Sequence, residues 1–310
     1  MAKRATRESY GAALVEYGAD KSVVVLDADL SKSTKTAMFK KEYPDRFINC
    51  GIAEGNMMSV AAGLATTGKT VFASSFAMFA AGRAFEQIRN GIAYPNLNVK
   101  IGATHAGISV GEDGATHQCL EDIALMRSLP NMVILNPADD IEAMQCVKAA
   151  IDHKGPVYMR FGRLAVDDIN GPDYKFELGK GVELCDGNDV TIIATGLMVS
   201  EALKAKDVLN EEGISAKVIN IHTIKPIDED IITKAAKQTG AIVTVEEHYV
   251  MGGLGSAVCE VVCKNAPVPV KIIGTEKFGK SGKPYELMKE YGLTFENIAK
   301  EAKEVIKLKK

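Results

Sequence analysis

Neither sign of charge dominates this chain: 37 lysines and arginines face 40 aspartates and glutamates among 310 residues, for a formal net charge of −3. Without a basic stripe there is no electrostatic footprint for nucleic acid or for an anionic membrane. Nor does any apolar run approach the roughly 20 residues that cross a bilayer. Cysteines are few and scattered, at Cys50, Cys119, Cys146, Cys185, Cys259 and Cys263; none forms a Cys-x-x-Cys pair and no secretory leader precedes them. That pattern excludes a disulfide scaffold and predicts reduced thiols in a cytoplasmic protein. Cys259 and Cys263 fall on one helix face, where packed thiols rather than metal ligands are expected. Internal duplication and low-complexity tracts are also absent, and the basic end of Lys300–Lys310 suits a solvated helix C-terminus favoured by the macrodipole. The partner that remains is a small molecule or another protein chain.

Two domains are expected, because 310 residues exceed the size at which one core stops growing. Short β-branched runs alternate with helical patterns, the signature of an α/β chain whose mainly parallel sheets are covered on both faces. In the first half the predicted strands are Val23–Leu26, Thr70–Ala73, Val99–Gly102, Met132–Leu135 and Val157–Arg160, and the predicted helices Met57–Thr66, Ala80–Asn90, Cys119–Arg127 and Asp140–Asp152. From Leu164 to Asn188 the chain turns polar and glycine-dotted, which predicts a connection. A second α/β unit follows, with strands Val190–Ala194, Ala216–Asn220, Ala241–Val245 and Val268–Ile273 and helices Ser200–Glu211, Asp228–Thr239, Gly255–Asn265 and Pro284–Tyr291. The expected boundaries are a first domain over residues 1–166, a linker over 167–187 and a second domain over 188–310.

Two stretches carry the chemistry. In Asn49-Cys-Gly-Ile-Ala-Glu-Gly-Asn-Met57 a lone carboxylate, Glu54, stands where a strand gives way to a helix, and the carboxyl edge of an open α/β sheet is where ligands bind. The same position also suits an acid that only complements a helix start. In Thr104-His-Ala-Gly-Ile-Ser-Val-Gly-Glu-Asp-Gly-Ala-Thr-His-Gln118, two imidazoles and two acids share one glycine-broken loop. Its spacing matches no helical His-x-x-x-His or paired Cys/His arrangement, so no metal ligand is assigned. Phe76 and Phe79, three apart, are expected on one helical face, where core packing would equally explain them. The loop Gly252–Ser256 lacks the acidic partner of a dinucleotide fingerprint and suits a tight turn.

On these residues the chain resembles the transketolase superfamily. Gly51-Ile-Ala-Glu54 is similar to the Gly-Ile-x-Glu motif of its pyrimidine-binding domain. The resemblance implies thiamine diphosphate as cofactor, with Glu54 hydrogen-bonded to a ring nitrogen of the aminopyrimidine and so promoting deprotonation of the thiazolium carbon. Phe76 and Phe79 match aromatics that pack around that ring, while Ala73 stands where relatives often carry another. The loop resembles Thr-His-x-Ser-Ile-Gly-x-Gly-Glu-Asp-Gly-Pro-Thr-His-Gln, which implies that His105 and His117 lie near the donor carbonyl and its hydroxyls and that Asp113 selects hydroxyl stereochemistry. Glu112 is left to a subunit interface or the cofactor pocket. Arg7, Ser33 and Arg160 match phosphate-binding positions, which implies a phosphorylated sugar. Asp29 matches an acid near the cofactor and dimer interface, although a strand-end Asp also serves as a helix cap.

Ile221–Asp228 and Val245–Ser256 are similar to the superfamily's C-terminal domain, which chiefly supports dimerisation. The resemblance covers nearly the whole chain, but only the second and third domains of a full-length transketolase. The Gly-Asp-Gly segment with a later Asn, which grips Mg²⁺ and the diphosphate, is nowhere in the sequence. The resemblance therefore implies the C-terminal subunit of a split transketolase of the pentose phosphate pathway, working as a heterotetramer with an N-terminal partner subunit that brings that motif and the metal. The implied reaction transfers a two-carbon ketol unit from a ketose phosphate to an aldose phosphate. Two other thiamine enzymes are alternatives, a split 1-deoxyxylulose-5-phosphate synthase and a 2-oxo-acid dehydrogenase β-like subunit. His105, where the synthase typically has Arg, argues against the first, although Ala106 matches the synthase's Ala-Gly pair and leaves the donor open. His105, Asp113 and His117 suit polyhydroxy substrates and argue against the second. Glu54 beside this loop argues against a non-enzymatic binding homologue.

Overall fold

The computed structural model describes residues 3–309. Residues 1, 2 and 310, at the outer ends of the two expected domains, lie outside the described part. Besides a two-stranded antiparallel ribbon of Arg4–Ala5 and Ala165–Val166, the strands of the two main sheets are, in chain order, β1 (Val23–Asp27), β2 (Phe47–Asn49), β3 (Thr70–Phe76), β4 (Val99–Thr104), β5 (Val133–Leu135), β6 (Val157–Arg160), β7 (Val182–Cys185), β8 (Val190–Ala194), β9 (Ala216–Asn220), β10 (Thr223–Lys225), β11 (Ile242–Tyr249) and β12 (Val270–Thr275). They build a seven-stranded sheet in the order β10-β5-β6-β4-β3-β1-β2 and a five-stranded sheet in the order β12-β11-β8-β9-β7. Neighbours are parallel except at two edges, β10–β5 and β9–β7.

The chain is thus α/β with mainly parallel sheets, as its apolar runs predict. Successive side chains of a strand point to opposite faces, and in β1 both faces are covered. Val24 and Leu26 enter a core with Met57 and Ala61, whereas Val23 and Val25 enter another with Tyr10, Leu14 and Phe39.

β7 and β10 are not predicted by the sequence, and the strand expected before Glu54 is present only as β2, ending at Asn49. Each is a short strand at a sheet edge, so none needs the apolar run that marks a doubly covered strand. β7 lies inside residues 167–187, and the second sheet therefore begins within the stretch expected as a linker. The same stretch is anchored on the first domain, where Asp139 Oδ2 accepts from the amides of Ile169 and Asn170 at 2.8 and 2.7 Å. β10 crosses over to pair with β5 of the first sheet, so the halves interlock rather than follow one another on a string.

Two expected helices are corrected. Ala80–Asn90 is not a regular α-helix: Met78–Arg83 and Ile88–Ala93 are π-helical and flank a short α segment, Phe85–Gln87. Phe76 closes β3 while Phe79 lies in the first π segment, so the two rings do not share a helical face. The helix expected from Cys119 begins at Asp122, because the carbonyls of Cys119 and Leu120 are taken by the amides of Gly107 and Tyr249 at 3.0 and 2.7 Å.

One close approach holds the first sheet to its covering helix. Tyr10, on the helix Thr6–Tyr17, shares a 2.6 Å hydrogen bond with Ser74 and stacks on Phe161. A methyl group on Gly102 of β4 would fall 2.2 Å from the Tyr10 hydroxyl. Gly102→Ala is expected to destabilise the protein by about 1–3 kcal/mol through overpacking, seen as a lower urea midpoint. An unchanged midpoint would show that Tyr10 swings clear without cost.

Candidate active site

β1 to β4 run parallel, so the residues that end or follow them gather at one sheet edge: Asp29 after β1, Glu54 after β2, Phe76 in β3 and His105 after β4. The turn after β1 is built on buried Asp27, whose carboxylate accepts from the Leu30 amide and the Thr34 and Thr36 hydroxyls at 2.6, 2.7 and 2.8 Å. That cradle places Asp29, at a left-handed φ of 65°, and Ser33. Asp29 accepts from Asn49 Nδ2 at 2.8 Å, which ties it to the segment leading to Glu54.

Glu54 opens the helix Glu54–Ala65 and is 1% exposed. Its Oε2 accepts from Arg83 Nη1 at 2.7 Å, and its Oε1 takes no hydrogen bond among the described residues. The Arg83 guanidinium also lies 4.7 Å from the centre of the Phe79 ring. Phe79 is 5.9 Å from Phe76 with the planes 15° apart, and Phe76 stacks on His105 at 3.8 Å. His117 stands edge-on to Phe79 and Phe76 at 5.3 and 6.1 Å. Arg7 Nη1 donates to the Ser33 carbonyl at 3.0 Å and lies 3.1 Å from His105 Nε2. One contiguous row therefore runs from Glu54 through Arg83, Phe79, Phe76 and His105 to Arg7 and Ser33. Asp113 is exposed on the same loop, and its charge acts on Arg7.

Burial, followed by the charges of Arg7 and Arg163, pushes the His105 pKa down to about 3. A guanidinium can only donate, so Nε2 accepts and the neutral ring holds its proton on Nδ1, 2.9 Å from the Thr104 hydroxyl. An unfolded histidine takes up a proton near pH 6.5. The folded ring stays neutral to about pH 3, so its contribution to stability is complete above pH 6.5 and is lost as pH falls toward 3. An NMR titration is expected to leave the His105 ring signals unmoved between about pH 5 and 8. A midpoint near that of a free imidazole would mean that the ring is not held between Arg7 and Phe76.

Arg160 does not join the row, and its expected phosphate-binding role is corrected. It is 4% exposed; Nε donates to Asp122 Oδ2 at 2.8 Å, and Nη2 donates to the carbonyls of Cys119 and Glu247 at 3.3 and 2.8 Å. Burial alone would lower its pKa, but the charge of Asp122 and the bond to it raise it. Arg163 stands nearer the row: it is part-exposed, donates to the Val110 carbonyl and to Glu112 Oε2, and its charge acts on both Arg7 and His105. The motif Arg160-Phe-Gly-Arg163 contains both arginines, and sequence alone does not tell which one turns inward. Arg83 had no signal beyond a position shortly after Phe79. Ala73 is buried within β3 and lines no part of the row. His248 accepts from the Ala124 amide at 3.2 Å through Nε2 and bonds the Tyr249 carbonyl at 2.7 Å through Nδ1, a satisfied structural imidazole.

The chain matches the transketolase pyrimidine-binding domain over residues 2–167 and the transketolase C-terminal domain over residues 179–298. It belongs to the transketolase family. A Methanocaldococcus jannaschii protein, provisionally named a transketolase C-terminal section, is 55% identical over 306 residues, covering 97% of this chain and 96% of its own. A 6-deoxy-6-sulfo-D-fructose transketolase subunit from Clostridium sp. (strain MSTE9) is 41% identical over 305 residues, covering 98% and 95%. Among solved structures, a split gene transketolase described as an inactive beta4 tetramer is 51% identical, superposes with a TM-score of 0.92 and matches 100% of both chains. This chain thus carries the pyrimidine-binding and C-terminal domains of a transketolase, and its family implies dependence on thiamine diphosphate.

The residues present fit the aminopyrimidine end of that cofactor. Phe79 offers a half-buried aromatic face, and within reach of the same guanidinium lies a buried carboxylate with one oxygen uncommitted. An aromatic shelf beside a lone carboxylate suits a flat heterocycle with a ring nitrogen to hydrogen-bond.

Proposed function

We propose that this chain is the pyrimidine-side half of a two-chain transketolase that moves a two-carbon ketol unit from a ketose phosphate, such as xylulose 5-phosphate, to an aldose phosphate. The observation that carries the reading is the unbroken row from Glu54 to Arg7, which sets a carboxylate, an aromatic shelf, neutral imidazole and a guanidinium in the order in which cofactor, sugar and phosphate would meet them. When bound, thiamine diphosphate supplies the carbanion chemistry for carbon–carbon cleavage and formation. Glu54 holds or releases a proton at its free oxygen toward the aminopyrimidine, and Phe76 and Phe79 fix the plane of the ring. His117 hydrogen-bonds the sugar carbonyl and hydroxyls, joined by His105 when Arg7 turns from its Nε2 to the substrate's anion, Asp113 tests hydroxyl stereochemistry, and Asp29 supports the cofactor side. Arg7 and Arg163, with Ser33, attract the terminal anion.

The Gly-Asp-Gly motif, Mg²⁺ and the diphosphate grip come from an N-terminal partner subunit, in a symmetric heterotetramer of the cytoplasm and the pentose phosphate pathway. The test is ketol transfer from xylulose 5-phosphate to ribose 5-phosphate by this chain alone and mixed with that partner. Activity in the mixture only is expected; activity of the chain alone, or consumption of pyruvate by the mixture without ketol transfer, would overturn the reading. Arg7→Ala in the mixture is expected to raise KM for phosphorylated donors at least about tenfold, the loss of one charge-assisted contact, while leaving unphosphorylated donors little changed. An equal loss for both donors would place Arg7 outside the anion site.

A further inference from the structure

Every residue assigned to the reaction lies in the first domain, yet the loop 105–118 is bolted to the second. Glu247, near the end of β11, is buried, and its Oε1 accepts from the Ser109 amide at 3.0 Å. Its carboxylate lies against the backbone of Gly107: a methyl group there would fall 2.7 Å from Oε1, and the φ of 88° at this position also favours glycine. The main chain of Glu247 is held in turn by Arg160 Nη2 at 2.8 Å. The far end of the loop is tied as well. Ser281 donates to the Glu112 carbonyl at 2.6 Å, and Gln118 Nε2, which reaches the Ile108 and Gly111 carbonyls, also donates to the Lys280 carbonyl at 2.9 Å. Two residues before the first of these anchors, His105 sits at a φ of 57°, a left-handed value that costs a residue other than glycine about 1–2 kcal/mol and needs its surroundings to hold it.

We propose that Glu247 is a positioning residue for ketol transfer: from the second domain it sets the loop so that His105, Asp113 and His117 meet the sugar, with Ser281 bracing the outer end. The proposal rests on the reading of this loop as sugar-binding. Glu247 belongs to none of the groups in the row and acts through the Ser109 amide and the close packing on Gly107. The cofactor side is built on β3 and the helix Glu54–Ala65, whereas the Glu247 and Ser281 hydrogen bonds fall on the loop, at Ser109 and Glu112. Donor binding should therefore depend on the second domain while cofactor binding does not.

The complete two-chain complex tests this with Glu247→Ala, Glu247→Gln and Ser281→Ala, measuring kcat, KM for xylulose 5-phosphate, and thiamine diphosphate affinity by equilibrium titration. Glu247→Ala is expected to raise donor KM on the order of ten- to a hundredfold, the effect of a small misplacement of binding groups, with cofactor affinity at the wild-type level. Glu247→Gln is expected to restore near wild-type KM, because its amide oxygen still accepts from Ser109. Ser281→Ala, on the surface and harmless to folding, is expected to raise donor KM in the same direction by less, and it carries the test if Glu247→Ala does not assemble. Wild-type donor KM in the alanine variants would overturn the proposal. So would a joint loss of donor and cofactor affinity that Glu247→Gln does not repair, since that marks general loosening. A wild-type complex with no ketol transfer would instead overturn the sugar-binding reading of the loop, and this proposal with it.

Discussion

Glu54→Gln in the complete complex is expected to lower ketol transfer by about two to four orders of magnitude, the usual contribution of a positioned proton-transfer group, with the fold intact. Glutamine keeps the volume and still offers Arg83 an acceptor, but it cannot exchange a proton with a ring nitrogen. The ion pair it weakens has one buried and one open end: Glu54 is 1% exposed, whereas the Arg83 side chain is 52% exposed and remains solvated when the charge opposite is removed. The stability cost is therefore expected to be small, within about 1 kcal/mol. A single-turnover transfer rate and a thermal midpoint, measured on the same preparation, separate the two effects. Wild-type transfer by Glu54→Gln would remove the carboxylate from the mechanism, and a collapsed midpoint would make it a structural acid.

The largest effect on stability is expected at Arg160. Arg160→Met should destabilise the protein by about 3–5 kcal/mol, because breaking a buried ion pair from one side leaves the other charge uncompensated. Asp122 is fully buried, and its Oδ2 is shared by Arg160 Nε and the Tyr158 hydroxyl, each at 2.8 Å. Among the described residues its Oδ1 has no partner to fall back on. The loss would reach both domains, since Arg160 also holds the carbonyls of Cys119 in the first and Glu247 in the second. Denaturant unfolding of Arg160→Met, Asp122→Asn and the double variant checks this: the double variant should recover part of the loss, because it removes the orphaned charge. If Arg160→Met is as stable as wild type and only weakens binding of sugar phosphates, Arg160 is a substrate residue after all.

Sequence and structure divide along a physical line. The apolar runs of β1, β4, β6, β8 and β9 announce themselves because a strand covered on both faces needs continuous hydrophobicity, and that requirement is local. Glu54 and the loop 104–118 drew attention in the sequence through their family resemblance, and the fold gathers Glu54, His105 and His117 along one row. The edge strands β2, β7 and β10 carry no such demand, and their pairing is chosen by whichever strand lies beside them. The π-helical Met78–Arg83, which brings Arg83 to Glu54 and over Phe79, has no signature in a window of side chains, because it depends on a hydrogen-bond register set by packing. Arg160 and Arg163 are the clearest case. The resemblance named Arg160 for the phosphate and residue type does not separate it from Arg163; only the approach of β11, with Asp122 waiting in the interior, turns one inward to join the domains and leaves the other where its charge acts on Arg7. The sequence by itself determined that this is an α/β chain of the transketolase family, and it drew attention to the loops of its first domain. Which of its charges face the ligand and which face each other was decided by the tertiary structure, because the desolvation that separates those two fates exists only once the domains have closed on one another.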